Sequence, residues 1–234
     1  MPRRPKAKSR TRPETTLFLN LSVDGRITSH DSDIFDPDKH WKQTPGIRAI
    51  LQQFYEFQGK DLTALTTGST MAALGINTRR GTPHPEPVKL VVLDPDVDLT
   101  SQGLDYLSQN VQKLFLICLN THPILSHPPV ASHQSLTTIS YPHEIDLNHA
   151  FNQLYQKHQV KQLFIHSIAP LNADLIDAGL IDHLSVIISP LLVGGHGTPA
   201  LQDNDILTIR PLKLILVKSF LDNYVNLRYD VFNG

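Results

Sequence analysis

The chain has 234 residues, a formal net charge of -1 at pH 7 and 40% hydrophobic residues, enough for one large globular domain or two small ones. No run reaches the roughly 18 apolar residues that a membrane-spanning helix needs, and the segment after Leu17–Leu19 is too polar for a secretory signal. We therefore expect no contact with a membrane and a location in the cytoplasm.

The first 14 residues are basic. Six positive side chains precede the first acid, namely Arg3, Arg4, Lys6, Lys8, Arg10 and Arg12. Because a run of like charges is usually a solvated arm, we interpret residues 1–14 as a disordered tail and residues 15–234 as a single domain. A nucleic-acid contact would depend on the tail alone, and we expect none.

The first strand is predicted at Thr16–Leu21, where apolar and polar residues alternate, and Asp24-Gly25 follows it as a turn signal. A loop rich in acids, prolines and histidines then runs from Asp31 to Thr44 and contains the single tryptophan, Trp41. Apolar residues at helical spacing predict a helix between Thr44 and Gly59.

Three short apolar runs predict strands, at Leu62–Thr66, Val88–Leu93 and Leu114–Leu119. The last of them contains the single cysteine, Cys118, which we expect to be buried filler. A lone cysteine excludes an internal disulfide and agrees with a reducing compartment. The hydroxyl-rich turn Thr67–Thr70, after the first of these strands, is either a capped helix start or a site for a phosphate or ribose.

A helix predicted at Leu147–His158 leads to the segment that we expect at the centre of the fold. This segment contains a strand at Leu163–Ile165, a helix that ends at Gly179, and a strand at Leu184–Ile188. So short a crossover predicts that the two strands pair in parallel with a right-handed connection. Ligands of such sheets collect beyond the carboxyl ends of the strands, where helix N-termini attract anions. The turn at His166–Pro170 is therefore the predicted place for a phosphate-bearing ligand.

The chain ends in two long strands, predicted at Leu207–Val217 and Tyr224–Phe232 as an antiparallel pair. Strands that alternate with helices, followed by a strand-only ending, predict an α/β fold. We expect a three-layer sandwich with a mixed, mostly parallel central sheet and a C-terminal antiparallel strand pair.

Common catalytic motifs are absent from the sequence. There is no G-x-G-x-x-G, no G-x-x-x-x-G-K-[ST] and no H-E-x-x-H, and Gly68-Ser69-Thr70 matches the nucleophile turn of a serine hydrolase only in part. A proline-rich loop holds three histidines without paired carboxylates or cysteines, so we expect no metal site; they are His122, His127 and His133.

Five segments follow one another in an order that is informative: Asn20–Ile27, Thr67–Thr70, Val91–Asp94, Leu175–Leu184 and Pro190–Pro199. Together they resemble the reductase domain of the riboflavin-biosynthesis deaminase/reductase family, over nearly the whole chain outside the tail. The zinc deaminase domain of that family carries H-x-E together with P-C-x-x-C, and the single cysteine of this sequence cannot complete that signature, so the chain looks like a stand-alone reductase.

The resemblance implies a dihydrofolate-reductase-like fold, NADPH as the cofactor, and a homodimer formed through sheet edges and C-terminal strands. It also implies hydride transfer to a ribosylamino-pyrimidine phosphate, with 5-amino-6-(5-phosphoribosylamino)uracil as the default substrate. In such chemistry the protein mainly binds, orients and excludes water, so no dedicated catalytic residue is implied.

The resemblance further implies roles for individual residues in binding the cofactor. Asn20 and Ser22 would meet the nicotinamide half, with Trp41 and Thr70 beside the cofactor. The diphosphate would lie against two short segments, whose implied contact residues are Ser167, Ile168, Ala169, Leu171, Gly194 and Gly195.

Substrate contacts are implied for Arg79, Arg80 and His166. A guanidinium suits a phosphate because it can donate two parallel hydrogen bonds, and a histidine can bind a phosphate when it is protonated.

Two departures from the family pattern leave other readings open. The family's Glu-Gly-Gly after the central strand is His166-Ser167-Ile168 here, and its Asp-Asp-Pro is Leu74-Gly75-Ile76. A bulky Ile168 can block the approach of a diphosphate to the backbone. The alternatives are a diverged ligand-binding member that no longer catalyses, and a reductase for a different, pterin-like substrate.

Overall fold

A computed structural model of the chain describes residues 10–27, 41–47, 62–127, 135–167, 169–194, 209–220 and 223–233. The predicted helix before Gly59 and most of the predicted loop at 31–44 lie outside these residues. Within them, Trp41–Gln43, Ile76–Thr78 and Pro123–Leu125 form short 3-10 helices.

The described residues form nine strands of one sheet and four α-helices. The strands are β1 Glu14–Ser22, β2 Thr63–Thr67, β3 Glu86–Asp94, β4 Val111–Leu119, β5 Leu136–Tyr141, β6 Gln162–Ile165, β7 His183–Ser189, β8 Leu212–Phe220 and β9 Tyr224–Val231. The helices are α1 Gly68–Ala73, α2 Ser101–Asn110, α3 Leu147–Gln156 and α4 Ala169–Asp177.

The strand order in the sheet is β5-β4-β3-β2-β6-β1-β7-β9-β8. Strands β1 to β7 run parallel to one another, whereas β9 pairs antiparallel with both β7 and β8. The mixed, mostly parallel sheet with its antiparallel C-terminal pair confirms the predicted fold class. The prediction that the two strands flanking α4 pair with each other is wrong, because β1 lies between β6 and β7 and pairs with both.

Both faces of the sheet are covered, which gives three layers. Along β3, Val91 and Leu93 belong to one hydrophobic cluster, and Leu90 and Val92 belong to another. Successive side chains of a strand point to opposite faces, so the two clusters lie on opposite sides of the sheet. The first contains residues of α3 and α4, and the second contains leucines of α2. Strands buried on both faces are apolar at nearly every position, which is why short apolar runs predict them.

The pattern of apolar residues in the sequence does not predict α2 or β5. Helix α2 buries only two large apolar side chains, Leu104 and Leu107, too few for a helical period to stand out. Its start is set by Thr100, whose hydroxyl accepts a hydrogen bond from a first-turn amide. The edge strand β5 buries Ile139 and Tyr141 and leaves its remaining residues partly or fully exposed, so no continuous apolar run marks it.

Charged groups tie the amino end of β1 to the turn before β7. The Arg12 guanidinium donates to both carboxylate oxygens of Asp182, at 2.8 and 2.9 Å, and the Thr15 amide donates to the same carboxylate at 3.0 Å. Burial by itself raises the pKa of Asp182, but these hydrogen bonds outweigh it and hold the pKa below its usual value. Arg10 and Arg12, which the sequence analysis assigns to the tail, therefore contact the domain.

The buried carboxylate of Asp94, at the end of β3, accepts hydrogen bonds from three other residues. Asp94 accepts hydrogen bonds from the amides of Asp98 and Leu99, at 2.9 and 3.1 Å, and from His122 Nε2 at 3.2 Å. His122 Nδ1 accepts from the Ile124 amide at 3.2 Å, so the ring carries its proton on Nε2. Both ring nitrogens are used within the fold, and the pair is structural.

Gly68 and Cys118 border this carboxylate. A Cβ atom on Gly68 would overlap the Asp94 carboxylate, so a larger residue cannot fit there unless a neighbour moves. Cys118 is the register partner of Asp94, and burial together with the negative charge of Asp94 raises the pKa of its thiol to about 11. The cysteine is buried, as predicted.

We expect Gly68→Ala to lower the free energy of unfolding by about 1 to 3 kcal/mol, because the added methyl group displaces the Asp94 carboxylate from its hydrogen bonds. Gly81→Ala is the matched control, since nothing lies within 4 Å of a Cβ atom at that position. Urea denaturation followed by circular dichroism measures the difference. Equal unfolding free energies for the two variants would contradict this role of Gly68.

Candidate functional site

The central strands carry a row of polar residues at their carboxyl ends. The registered residues Leu65, Ile165, Leu17 and Leu184 belong to the first core cluster. The residue after each of them therefore points to the opposite face. We call this buried surface the polar face; its residues are Thr66, His166, Phe18 and Ser185 in one row, with Asn20, Ser22 and Ser189 nearer the carboxyl ends.

His166 lies at the centre of the polar face, directly after β6. Its amide donates to the Leu65 carbonyl at 2.9 Å, and its ring stacks on Phe18 with the centroids 6.0 Å apart. Burial lowers the pKa of His166 to about 4, although a hydrogen bond to the Phe18 main chain opposes that shift. The imidazole is therefore neutral at pH 7 and does not supply positive charge to a phosphate.

Asn20 and Ser22 have different surroundings although both lie on β1. The Ser189 hydroxyl donates to Asn20 Oδ1 at 2.6 Å, so the Nδ2 group is the donor that this amide can offer to a ligand. The Ser22 hydroxyl donates to Asp24 at 2.6 Å and accepts from the Arg26 amide at 2.9 Å. Ser22 thus braces the turn after β1.

The Asp24 carboxylate joins the turn after β1 to the segment after β7. It accepts hydrogen bonds from the amides of Val193 and Gly194, at 3.1 and 2.7 Å. The hydrogen bond from Ser22, followed by those from the two amides, holds the pKa of Asp24 well below its usual value. Gly194 has a φ of +67°, and its amide, an implied diphosphate contact, donates to Asp24.

Two further hydroxyls implied in cofactor binding have partners inside the protein. Thr67 caps α1 by accepting from the Thr70 amide at 3.2 Å, and the hydroxyls of the two threonines lie 2.8 Å apart. The Ser167 hydroxyl donates to Asn172 Oδ1 at 2.6 Å, and both residues are fully buried. The turn after β2 is thus a capped helix start, one of the two readings that the sequence leaves open.

Helix α4 begins at Ala169, just beyond the carboxyl end of β6. Leu171, in its first turn, belongs to the first core cluster, so only its main chain can face a ligand. Ile168 and Gly195 lie outside the described residues.

Trp41 and the two arginines complete the set of sequence candidates. Trp41 is buried, and its indole Nε1 has no hydrogen-bond partner among the described residues. The Arg79 guanidinium donates to the Leu74 carbonyl at 3.3 Å, and its own carbonyl accepts from Gln102 of α2. These contacts hold Arg79 against the end of α1 and against α2, and Arg80 is exposed next to it.

Thr66, Ser189 and Asp24 belong to this region and are not among the sequence candidates. Alternation is the signal that could have found Ser189, because His183, Ser185 and Ser189 share one face of a buried strand, and repeated polar residues mark a face that is not ordinary core. Thr66 has no such signal, since the residue two positions before it is Ala64. Thr66 is 4% exposed, and its hydroxyl has no hydrogen-bond partner in the described part of the chain.

Across the described ranges, no group of three or more His, Cys, Asp and Glu side chains could hold a metal ion. The helices in the same ranges are too short or too polar to cross a membrane.

The family model of the RibD C-terminal domain matches residues 13–224. No curated protein matches the chain in sequence.

Several solved structures share the fold. RibD from Acinetobacter baumannii has a TM-score of 0.68 at 19% identity, with 96% of this chain and 59% of that chain covered. A pyrimidine reductase-like protein from Corynebacterium diphtheriae has a TM-score of 0.67 at 16% identity, with 95% of this chain and 93% of that chain covered. The riboflavin biosynthesis reductase Rib7 from Saccharomyces cerevisiae has a TM-score of 0.61 at 13% identity, with 97% of this chain and 93% of that chain covered. The chain thus spans less than two thirds of the RibD protein that it matches.

We expect Asp24→Asn to loosen the segment after β7, because a neutral amide accepts weaker hydrogen bonds from Val193 and Gly194 than a carboxylate does. Amide hydrogen exchange followed by NMR should show severalfold lower protection at these two positions. Asp96→Asn, at an exposed acid in the turn after β3, is the control. Unchanged protection in Asp24→Asn would refute the role of this carboxylate.

The hydrogen bonds of Asp24 also predict how the protection of the Val193 and Gly194 amides depends on pH. Because the pKa of Asp24 is lowered in the folded protein, its contribution is complete above the ordinary carboxyl pKa of about 4 and is lost only as the pH falls below that value. Protection of the two amides should therefore stay constant between neutral pH and about pH 5 once intrinsic exchange is corrected for.

Proposed function

The chain belongs to the RibD C-terminal domain family, and from this premise we propose that it is an NADPH-dependent reductase of a ribosylamino-pyrimidine phosphate. The observation that carries the proposal is the convergence of Asn20, His166 and the start of α4 at the carboxyl ends of adjacent parallel strands. Open α/β sheets bind their ligands at this edge. The default substrate is 5-amino-6-(5-phosphoribosylamino)uracil, with a pterin-like heterocycle as the alternative.

The groups at this edge fit a nicotinamide dinucleotide. The Nδ2 group of Asn20 can donate to a carboxamide oxygen, and the buried hydroxyl of Thr66 still lacks a partner in the described part of the chain. The first-turn amides of α4, a nine-residue helix, offer N–H groups and a positive dipole end to a diphosphate. Since the Gly194 amide donates to Asp24, we assign the diphosphate to the start of α4 rather than to Gly194.

NADPH, when bound, supplies the hydride. The chain's own residues bind and orient the reactants and exclude water, since the side chains of the polar face are buried and uncharged at pH 7. A neutral His166 stacked on Phe18 gives this region a rigid, low-polarity wall.

One observation favours the second candidate function, a ligand-binding protein that no longer catalyses. The hydroxyls of Ser22, Thr70 and Ser167 all have protein partners, which are Asp24, Thr67 and Asn172. A protein that had lost the cofactor would keep such internal contacts for stability alone. The two candidates differ in whether a bound cofactor is consumed.

We expect the protein to bind NADPH with micromolar affinity and to bind NADH more weakly, as measured by nicotinamide fluorescence. Adding 5-amino-6-(5-phosphoribosylamino)uracil should then consume NADPH, which absorbance follows directly. Binding without consumption would favour the non-catalytic alternative or a different substrate. No binding at millimolar NADPH would overturn the reductase proposal.

We also propose that a second copy of the chain packs on β8. This strand is the last in the sheet order, so one row of its main-chain groups has no neighbouring strand in the part of the chain that the structure describes. Its apolar side chains are exposed on both faces, with Leu214 at 51%, Ile215 at 49% and Val217 at 59%. An apolar edge of this kind is unfavourable in a monomer, because it exposes hydrophobic surface and invites strand pairing.

Sedimentation velocity should give a mass of twice 26.2 kDa for the unchanged protein. Val217→Lys should shift it to the monomer, because a charge at the edge opposes close packing. Val23→Lys is the control, since Val23 is equally exposed, at 62%, but lies in the turn after β1. A monomeric unchanged protein, or a dimeric Val217→Lys variant, would rule out this interface.

A further inference from the structure

Thr66 carries a buried hydroxyl that has no hydrogen-bond partner among the described residues. The residue is 4% exposed, and Oγ1 makes no hydrogen bond within the described ranges. A buried hydroxyl without a partner loses its hydrogen bonds to water and gains none in return, so it destabilises the protein. Valine has nearly the same shape and avoids that loss, so stability alone does not explain a threonine here.

Other hydroxyls near the carboxyl ends of the central strands are paired. Ser22 donates to Asp24, Ser167 to Asn172, and Ser189 to Asn20. Thr66 therefore differs from them in its bonding, although it is buried to a similar extent. An orphaned polar group at a functional site is expected when the missing partner is a ligand.

The position of Thr66 indicates which region a ligand would have to occupy. Leu65 is the register partner of Ile165, so the next residues, Thr66 and His166, lie side by side on the polar face. His166 in turn stacks on Phe18. Thr66 is thus in the same row as the residue that the family resemblance assigns to the substrate.

The chemistry of this row indicates the kind of group that Thr66 would bind. Its neighbours on the two adjacent strands are the neutral imidazole of His166 and the apolar Val92, and neither compensates the charge of a phosphate or carboxylate. Burial of an ion there would be costly. An uncharged amide-type group, with a carbonyl oxygen and an N–H, can instead pair with a hydroxyl that both donates and accepts.

We propose that the Thr66 hydroxyl binds an amide-type group of a ligand, either the pyrimidine edge of the substrate or the carboxamide of the nicotinamide. This inference rests on the proposed function, since both groups belong to the proposed reactants. Thr66 is then a specificity-determining residue that selects an uncharged amide-type group at the β2 side of the polar face, next to His166.

The test compares Thr66→Val, which removes the hydroxyl, with Thr66→Ser, which keeps it. Thr63→Val is the matched control, because Thr63 is a buried threonine on the same strand whose side chain points to the opposite face. Two affinities are measured for each variant: NADPH by fluorescence, and 5-amino-6-(5-phosphoribosylamino)uracil by calorimetry with NADP+ bound. Melting temperatures are measured without ligand.

Thr66→Val should melt about 2 to 4 °C higher than the unchanged protein and bind one of the two ligands about three- to tenfold more weakly. Weaker binding of the pyrimidine compound would identify the pyrimidine edge of the substrate as the partner of Thr66. Weaker binding of NADPH would identify the nicotinamide carboxamide as the partner. Thr66→Ser should stay within about twofold of the unchanged protein for that ligand, and Thr63→Val should leave both affinities unchanged.

The outcomes also separate this inference from the proposed function. If the unchanged protein binds both ligands and Thr66→Val binds them equally well, the role of Thr66 is overturned while the reductase proposal stands. A lower melting temperature of Thr66→Val with unchanged affinities would likewise show that the hydroxyl serves the fold. If the unchanged protein binds neither ligand, both proposals fall.

Discussion

The insertion of β1 between β6 and β7 is the constraint on which the rest of the structure depends. It brings the carboxyl ends of β2, β6, β1 and β7 together at one edge, although their sequences lie far apart. Because both faces of these strands are buried, each polar side chain there needs a partner or a ligand. The segments that follow the strands, including the Asp24 turn and the start of α4, meet at the same edge for the same reason.

The fold was largely predictable from the sequence because strands buried on both faces appear as short apolar runs. The class of the sheet and its antiparallel ending follow from the order of these runs. Helix α2 and strand β5 were not predictable in this way, since each buries few large side chains. The position of β1 between β6 and β7 could not be predicted for a different reason. A strand-helix-strand pattern predicts that its two strands are parallel, but it cannot show that a third strand lies between them.

The sequence predicts a location for the candidate site, the turn after β6, but it does not predict the hydrogen bonds of the residues there. The turn after β6 does lie beside Asn20 and the helix start, as ligand-binding edges of parallel sheets require. Which hydroxyls remain for a ligand depends on distant partners, and no local pattern reveals them. Asp24, for example, accepts a hydrogen bond from the amide of Gly194, which lies 170 residues later in the chain. The Ser189 hydroxyl donates to Asn20, which lies 169 residues earlier. Residue type predicts hydrogen-bonding capacity, whereas the fold decides where that capacity is used.

The thiol of Cys118 has a consequence for how the protein can be studied. With a pKa of about 11, about one thiol in ten thousand is ionised at pH 7, and the side chain is buried in the second core cluster, together with leucines of α2. Alkylating reagents attack the thiolate, so modification has to wait until this cluster opens. Since the chain has a single cysteine, the rate of labelling would report the opening of this part of the sheet, without an introduced probe.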